Sequence, residues 1–128
     1  MQLRALVTVG VLAAGVASCG SRAVEPTSTL LDVVLTTPNV DDGAVMFTIS
    51  GGPVTSIQAF TYRTYTGTVS SNTYRVMVTG NVNGGILVRV LVPDASRAGD
   101  YVTTVNQVAR RGTYQQRTIG GYSLRLGP

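Results

Sequence analysis

The 128-residue chain contains no histidine, lysine or tryptophan, and it has a single cysteine, Cys19. These absences remove most of the side chains that transfer protons, attack as nucleophiles or bind transition metals near neutral pH. Six carboxylates remain, and a pair of them could serve a hydrolase. The aspartates, however, mostly lie beside Gly, Pro or Asn, where turns favour them. The sequence therefore predicts a protein that is not an enzyme and has no cofactor.

Because lysine is absent, all ten basic residues are arginines, and the formal net charge is only +4. The arginines are spread along the chain and form no basic stripe. Nucleic-acid binding needs such a stripe or patch, so we expect no nucleic-acid partner. An internal disulfide is excluded because Cys19 has no second cysteine to pair with. Packing alone must therefore stabilise the fold.

The N-terminus has the features of an export signal. One basic residue, Arg4, precedes an apolar run from Ala5 to Ala17 that only Thr8 interrupts. This run is shorter than the roughly 20 residues that a membrane-spanning helix needs. An ordinary secretory signal cleaved near Ala17-Ser18 would leave Cys19 as a free thiol, and an odd thiol in an exported protein requires an explanation.

The stretch Val16-Ala17-Ser18-Cys19 provides that explanation, since it resembles the lipobox of bacterial lipoproteins. The resemblance implies that residues 1–18 are a signal peptide and that Cys19 carries acyl chains such as palmitate. The protein is then exported and anchored in the cell envelope, with the membrane as its partner through Cys19. An aspartate directly after the lipidated cysteine resembles a signal for retention in the inner membrane. This chain has Gly20 at that position, so the outer membrane is the expected location.

Removing residues 1–18 leaves 110 residues (128 − 18), which suits one domain. Residues 19–29 are mostly small or polar and predict a flexible, lipidated tether. Residues 30–128 predict the folded domain. This part alternates apolar and polar residues with period two and has no apolar face at helical spacing. Breakers such as Gly51-Gly52-Pro53 and Ser70-Ser71-Asn72 separate the alternating segments.

The alternation predicts an all-β fold, a single β-sandwich of about seven to nine mostly antiparallel strands. Within it, Phe47 faces the core and Arg125 faces solvent, and Asp32 marks the Leu30/Val34 side of the first strand as its outer face. The four clearest strands are Ala44–Ser50, Thr73–Thr79, Ile86–Val92 and Tyr122–Leu126. Weaker candidates are Val54–Ala59, Phe60–Thr66, Tyr101–Ala109 and a short piece near Tyr114.

Two finer predictions concern the middle of the chain. If the faces of Val78 and Val88 are both buried in one hairpin, the two residues pair directly and the turn is Val82-Asn83-Gly84, with a left-handed glycine. The segment Gly85-Ile86-Leu87-Val88-Arg89-Val90 and the order of the strands resemble cohesin and related carbohydrate-module sandwiches. This resemblance covers residues Ala44 to Val92. This resemblance implies a sandwich rather than a barrel.

Candidate binding residues are few. Phe60 and Tyr62 could share one face and present rings to a sugar, whereas Tyr62 and Tyr65 should point to opposite faces. Arg110 and Arg111 could bind acidic groups of envelope polymers, or could simply form an exposed turn. We expect no metal, although whether Asp41 and Asp42 bind calcium is left open.

These features predict a lipid-anchored envelope protein with a non-enzymatic binding or structural role. The alternative is a carbohydrate-binding accessory module that uses a tyrosine-bearing face. The expected partner besides the membrane is an envelope polysaccharide or protein.

Overall fold

The computed structural model describes residues 25–128 and consists of nine strands and one 3-10 helix. The predicted signal peptide, Cys19 and the first half of the predicted tether lie outside the described residues. Residues 25–28 have no regular structure, and the first strand begins at Thr29, one residue before the predicted domain boundary. Within the described range, no helix has the length and apolar character needed to cross a membrane.

The strands form two antiparallel sheets packed face to face, which confirms the predicted β-sandwich. The four-stranded sheet has the order β3-β6-β1-β9, and the five-stranded sheet has the order β4-β5-β2-β7-β8. The bounds are β1 Thr29–Thr36, β2 Asp42–Ser50, β3 Ser56–Ala59, β4 Arg63–Ser70, β5 Thr73–Val82, β6 Gly85–Val92, β7 Val102–Arg110, β8 Gln116–Arg117 and β9 Ser123–Gly127.

The core lies between the sheets and consists of the inward side of each alternating strand. The central strands β1 and β2 have apolar neighbours on both sides, so their inward residues are almost completely buried. Leu30 is 41% exposed, which confirms that its side of β1 is the outer one. The buried apolar residues are Leu31, Val33, Leu35, Val45, Phe47, Ile49, Val76, Val78, Val82, Leu87, Val88, Val90, Val92, Tyr101, Val105 and Val108.

The predicted β5–β6 hairpin is wrong. Val78 pairs with Val45 and Thr64 in the five-stranded sheet, whereas Val88 pairs with Val33 and Ala59 in the other sheet. The turn between them crosses from one sheet to the other, and Gly84 does adopt a positive φ of 102°. Both valines face the same core, but from opposite sides. Alternation specifies the buried face of a strand and leaves its sheet undetermined.

The weaker predictions are partly right. The strand predicted at Val54–Ala59 is shorter (β3), and the one predicted at Phe60–Thr66 begins three residues later, at Arg63. The short strand predicted near Tyr114 is present as the two-residue β8, Gln116–Arg117, but Tyr114 itself lies in the turn before it, with a positive φ of 56°. A 3-10 helix, Ala95–Asp100, was not predicted; the Asp94 side chain caps it by accepting from the backbone N–H of Ser96 at 3.0 Å.

Strand direction gives the sandwich two distinct ends. The near end carries the start of β1 together with the turns that follow β2 and β6. The far end carries the β1–β2 connection at residues 37–41, the sheet-crossing turn at 83–84 and the long connection from β7 to β9. Residues 25–28 lead into the near end, so the chain enters the sandwich there.

Phe47→Ala should destabilise the protein by about 3–5 kcal/mol, because Phe47 is fully buried and the change leaves a cavity between the sheets. The matched change Arg125→Ala, on the outer face of β9, should alter the free energy of unfolding by no more than about 0.5 kcal/mol. Urea denaturation of the purified protein measures both values. A larger loss from the arginine change would contradict the assigned facing.

Candidate functional site

Phe60 and Tyr62 occupy the bend between β3 and β4, where the chain passes from one sheet to the other. Phe60 is 46% exposed, and the Arg89 guanidinium carbon lies 4.8 Å from its ring centroid. Tyr62 instead packs against the core, and its hydroxyl donates to the Gly84 carbonyl at 3.4 Å. The structure therefore does not combine these two rings into one exposed platform.

Arg110 and Arg111 lie at the end of β7, beside Asp41. The Arg110 Nε atom is 3.1 Å from Asp41 Oδ2, while the Arg111 backbone N–H donates to the Asp41 carbonyl at 2.7 Å. Arg110 thus already has a carboxylate partner inside the protein. The Arg111 side chain is exposed and forms no ion pair with any of residues 25–128. The turn interpretation of this pair fits its surroundings.

The largest assembly of polar side chains lies at the far end, around the fully buried Asp42. Asp42 Oδ1 accepts from Tyr122 Oη at 2.7 Å and from Arg117 at 3.0 Å, and Asp42 Oδ2 accepts from the Thr37 hydroxyl at 2.7 Å. Arg117 also bonds Asp41 Oδ1 at 2.6 Å, which leaves its side chain only 19% exposed. We call this group the Asp42 cluster; its members are Thr37, Asp41, Asp42, Arg110, Arg117 and Tyr122.

The Asp42 cluster joins the two sheets. Asp42 begins β2 and Arg117 ends β8, both in the five-stranded sheet, whereas Thr37 follows β1 and Tyr122 precedes β9 in the four-stranded sheet. Asn39, from the same connection as Thr37, donates to the Tyr122 hydroxyl at 2.8 Å. Each of these hydrogen bonds fixes a loop at the far end of the sandwich.

Gly43 permits this arrangement through its lack of a side chain. A Cβ atom at Gly43 would lie 2.6 Å from the Cα atom of Arg111, too close for any larger residue without a backbone shift. Strand pairing on both sides of β2 shifts between Asp42 and Ala44. The shift reverses the alternation at the start of the strand, so that Asp42 faces inward although regular alternation from Val45 would place it outside.

The arginines of this cluster favour the ionised form of the Asp41 carboxyl. The hydrogen bond from Arg117 holds the pKa of Asp41 below its usual value of 3.8, and the charges of Arg117 and Arg110 act in the same direction, against the opposing effect of burial. All four carboxylate oxygens of Asp41 and Asp42 accept from arginine, tyrosine or threonine donors. Within residues 25–128, no three His, Cys, Asp or Glu side chains are grouped so that they could hold a metal ion. The cluster is built to hold two sheets together.

Sequence reasoning found the aspartates but missed their partners. Arg117 and Tyr122 lie 75 and 80 residues away from Asp42 along the chain, and nothing in their local sequence marks them. One signal was available: two adjacent aspartates directly before an apolar strand, in a chain with only six carboxylates.

Comparison of the chain with known protein families, with curated proteins and with solved structures found no match. The likeness to lipoproteins and to cohesin-type sandwiches thus remains a prediction from the sequence.

Asp42→Ala should destabilise the protein by about 2–4 kcal/mol, because it removes one of the two carboxylates that bind Arg117 and leaves the buried ends of the Thr37 and Tyr122 hydrogen bonds without their acceptor. Asp32→Ala provides the matched control, because Asp32 forms a half-exposed ion pair with Arg89 at 3.0 Å on the outer sheet face and should contribute about 1 kcal/mol or less. Equilibrium unfolding in urea compares the two. Equal losses would contradict the linking role of the Asp42 cluster.

Asp41 should contribute to the loss of stability in acid. Its pKa is lowered in the folded protein, so its ion pairs stabilise the fold fully above the unfolded-state value of 3.8 and lose this effect as the pH falls through the lower folded-state pKa. We expect Asp41→Asn to be less stable at pH 7 and to lose less stability below about pH 4. Thermal unfolding from pH 7 to pH 2 measures this difference. Parallel curves for the two proteins would show that Asp41 is not involved.

Proposed function

We propose that the protein is a lipid-anchored module of the bacterial cell envelope, with a non-enzymatic binding or structural role. The observation that carries the proposal is the stretch Val16-Ala17-Ser18-Cys19 after a short apolar segment. Acylation of Cys19 would anchor the chain at this position, because two or three acyl chains hold a protein stably at a membrane whereas one binds only marginally.

The arrangement of the folded part supports this proposal. The first strand begins at Thr29, ten residues after Cys19 (29 − 19). The Thr27 carbonyl already accepts from the Ala95 N–H at 2.7 Å, so the tether predicted from the sequence is shorter than ten residues. Even ten flexible residues would span a root-mean-square distance of only about 17–19 Å, and the near end of the sandwich would therefore lie close to the membrane. The far end and both outer sheet faces would then be presented to the envelope space. Gly20, in place of an aspartate, favours delivery to the outer membrane.

The chemistry of residues 25–128 supports a role without catalysis. This range contains no histidine, lysine or cysteine. Its buried carboxylate, Asp42, is held by three donors from the protein itself. Such a group contributes to stability and has no free position from which to activate a substrate.

Metabolic labelling with a radioactive fatty acid tests the anchor. The wild-type protein should be labelled, and Cys19→Ser should lose the label and accumulate as the precursor. Ser18→Ala is the matched control, because it keeps a small residue next to the cysteine and should be labelled normally.

Two outcomes would contradict the anchor. Label that persists on the Cys19→Ser protein would place the acyl chains elsewhere. A secreted wild-type protein with a free Cys19 thiol and no label would show an ordinary secretory signal.

A further inference from the structure

The outer face of the five-stranded sheet carries a shallow groove of about 190 Å³ near the far end. Its centre is low because two alanines, Ala44 and Ala109, pair directly across β2 and β7. Met46 and Met77, which also pair directly, line one side of the groove. Tyr114, from the turn after β7, lines it as well. The groove is therefore a small apolar depression on an open sheet face.

Exposed aromatic rings lie along both edges of this sheet face. Tyr114 is 68% exposed and belongs to the β7–β8 turn, beside one edge of the sheet. Tyr65 is 49% exposed and lies on β4, the opposite edge strand, where it pairs with Met77 and so shares its face. Tyr114 also has a backbone φ of 56°, a conformation that tyrosine rarely adopts. The turn therefore holds an exposed ring in a conformation that glycine would adopt more easily.

The charge on this face has one sign. Arg63 lies two residues before Tyr65 on β4, and Arg75 lies two residues before Met77 on β5. Because side chains alternate along a strand, both arginines point to the same outer face as Tyr65 and Met77, one on either side of that pair. Both side chains are exposed, and neither forms an ion pair with another residue of the described range. The aspartates and the glutamate of residues 25–128 lie in the other sheet, in the Asp42 cluster, in the 3-10 segment or before β1. The face is thus complementary to an anionic ligand.

Two polar side chains specify the ligand further. Gln107 and Gln116 line the groove, and each primary amide both donates and accepts hydrogen bonds. A sugar ring has hydroxyl groups that also donate and accept, together with an apolar face that suits a tyrosine ring. A peptide lying on this face would find little backbone to bind, because the backbone groups in the middle of a sheet are used by the neighbouring strands. The groove is also smaller than the roughly 300 Å³ at which typical ligand pockets begin, so it can hold only one ring-sized unit.

We propose that the outer face of the five-stranded sheet binds an anionic polysaccharide, one carboxylate-bearing sugar unit occupying the groove beside Tyr114 while Arg63 and Arg75 bind carboxylates along the chain. Guanidinium groups bind carboxylates through paired hydrogen bonds. The inference rests on the proposed envelope function and gives it a ligand class. It also replaces Phe60 and Tyr62 with Tyr65 and Tyr114 as the rings that contact the sugar.

Binding of three polymers to the full-length protein, purified in a nonionic detergent, tests this proposal. Polygalacturonate offers carboxylated sugar rings, dextran offers neutral rings, and poly-L-glutamate offers carboxylates without rings. We expect polygalacturonate to bind at least about tenfold more tightly than either control, by titration calorimetry at 0.15 M salt. Equal binding of poly-L-glutamate would overturn the proposal in favour of an acidic protein partner, and absence of polygalacturonate binding would overturn it outright.

Matched variants locate the site. Tyr114→Gly should weaken polygalacturonate binding about tenfold without lowering the urea midpoint, because glycine accepts the positive φ. Arg75→Gln should weaken binding severalfold, whereas Arg125→Gln and Phe60→Ala, both away from this face, should leave it unchanged. Equal weakening by Arg75→Gln and Arg125→Gln would indicate general charge attraction and overturn the assignment. Because the measurement does not depend on acyl chains, failure here and failure of the fatty-acid labelling are separate results.

Discussion

The buried carboxylate of Asp42 is the constraint on which the far end of the sandwich depends. A buried charge is costly unless it is paired and hydrogen-bonded. Three donors from three different segments approach its two oxygens at 2.7–3.0 Å. Hydrogen bonds are directional, whereas apolar contacts are not, so this one side chain fixes where the surrounding loops lie relative to each other.

Several other features of the far end depend on Asp42. Asp42 aligns the start of β2, in the five-stranded sheet, with the end of β1 and the start of β9, which are neighbours in the four-stranded sheet. The same cluster pairs Arg110, which the sequence suggested as a ligand-binding residue, and Arg117, which it did not, with carboxylates of the protein itself. It also holds both ends of the segment that carries Tyr114. The polar cluster thereby occupies two arginines within the protein and fixes the turn that presents Tyr114.

The apolar core is less specific than the polar cluster. It is composed largely of valines that alternate along each strand, and one buried valine resembles another in size and shape. Such a core stabilises a sandwich through the area it removes from water, but it does not by itself select the partner of each strand. Val78 and Val88 illustrate this degeneracy, because both are buried in the same core although each pairs with strands of a different sheet.

The anchoring proposal and the sugar-binding proposal fit one geometry. If Cys19 is acylated as we propose, a chain that enters at the near end would hold that end towards the membrane. The groove lies on an outer face towards the other end. An anionic polymer of the envelope would meet the exposed arginines without competition from acidic side chains of the same face. The Tyr114 turn, closed by the hydrogen bond from the Arg110 N–H to the Gln115 carbonyl at 2.8 Å, would present its ring without a large rearrangement.

The sequence by itself determined the class of fold and the facing of the clear strands. Period-two alternation is local, so Phe47 could be assigned to the core and Arg125 to solvent without knowledge of any partner strand. The same local reasoning separated Tyr62 from Tyr65. The export signal and Cys19 were likewise predicted from a contiguous stretch of residues, and the absence of histidine and lysine was evident from composition alone.

Only the tertiary structure decided which strands share a sheet. It also decided which side chains form the Asp42 cluster and which lie together on the outer sheet face. Pairing depends on contacts between residues far apart in sequence, and alternation is identical for two strands that face one core from the same sheet or from opposite sheets. The inward turn of Asp42 arises from a pairing shift at Gly43, which no local pattern announces. Tyr65 and Tyr114 likewise come together on one outer face because β4 and the β7–β8 turn flank the same sheet, a relation that exists only after the strands have paired.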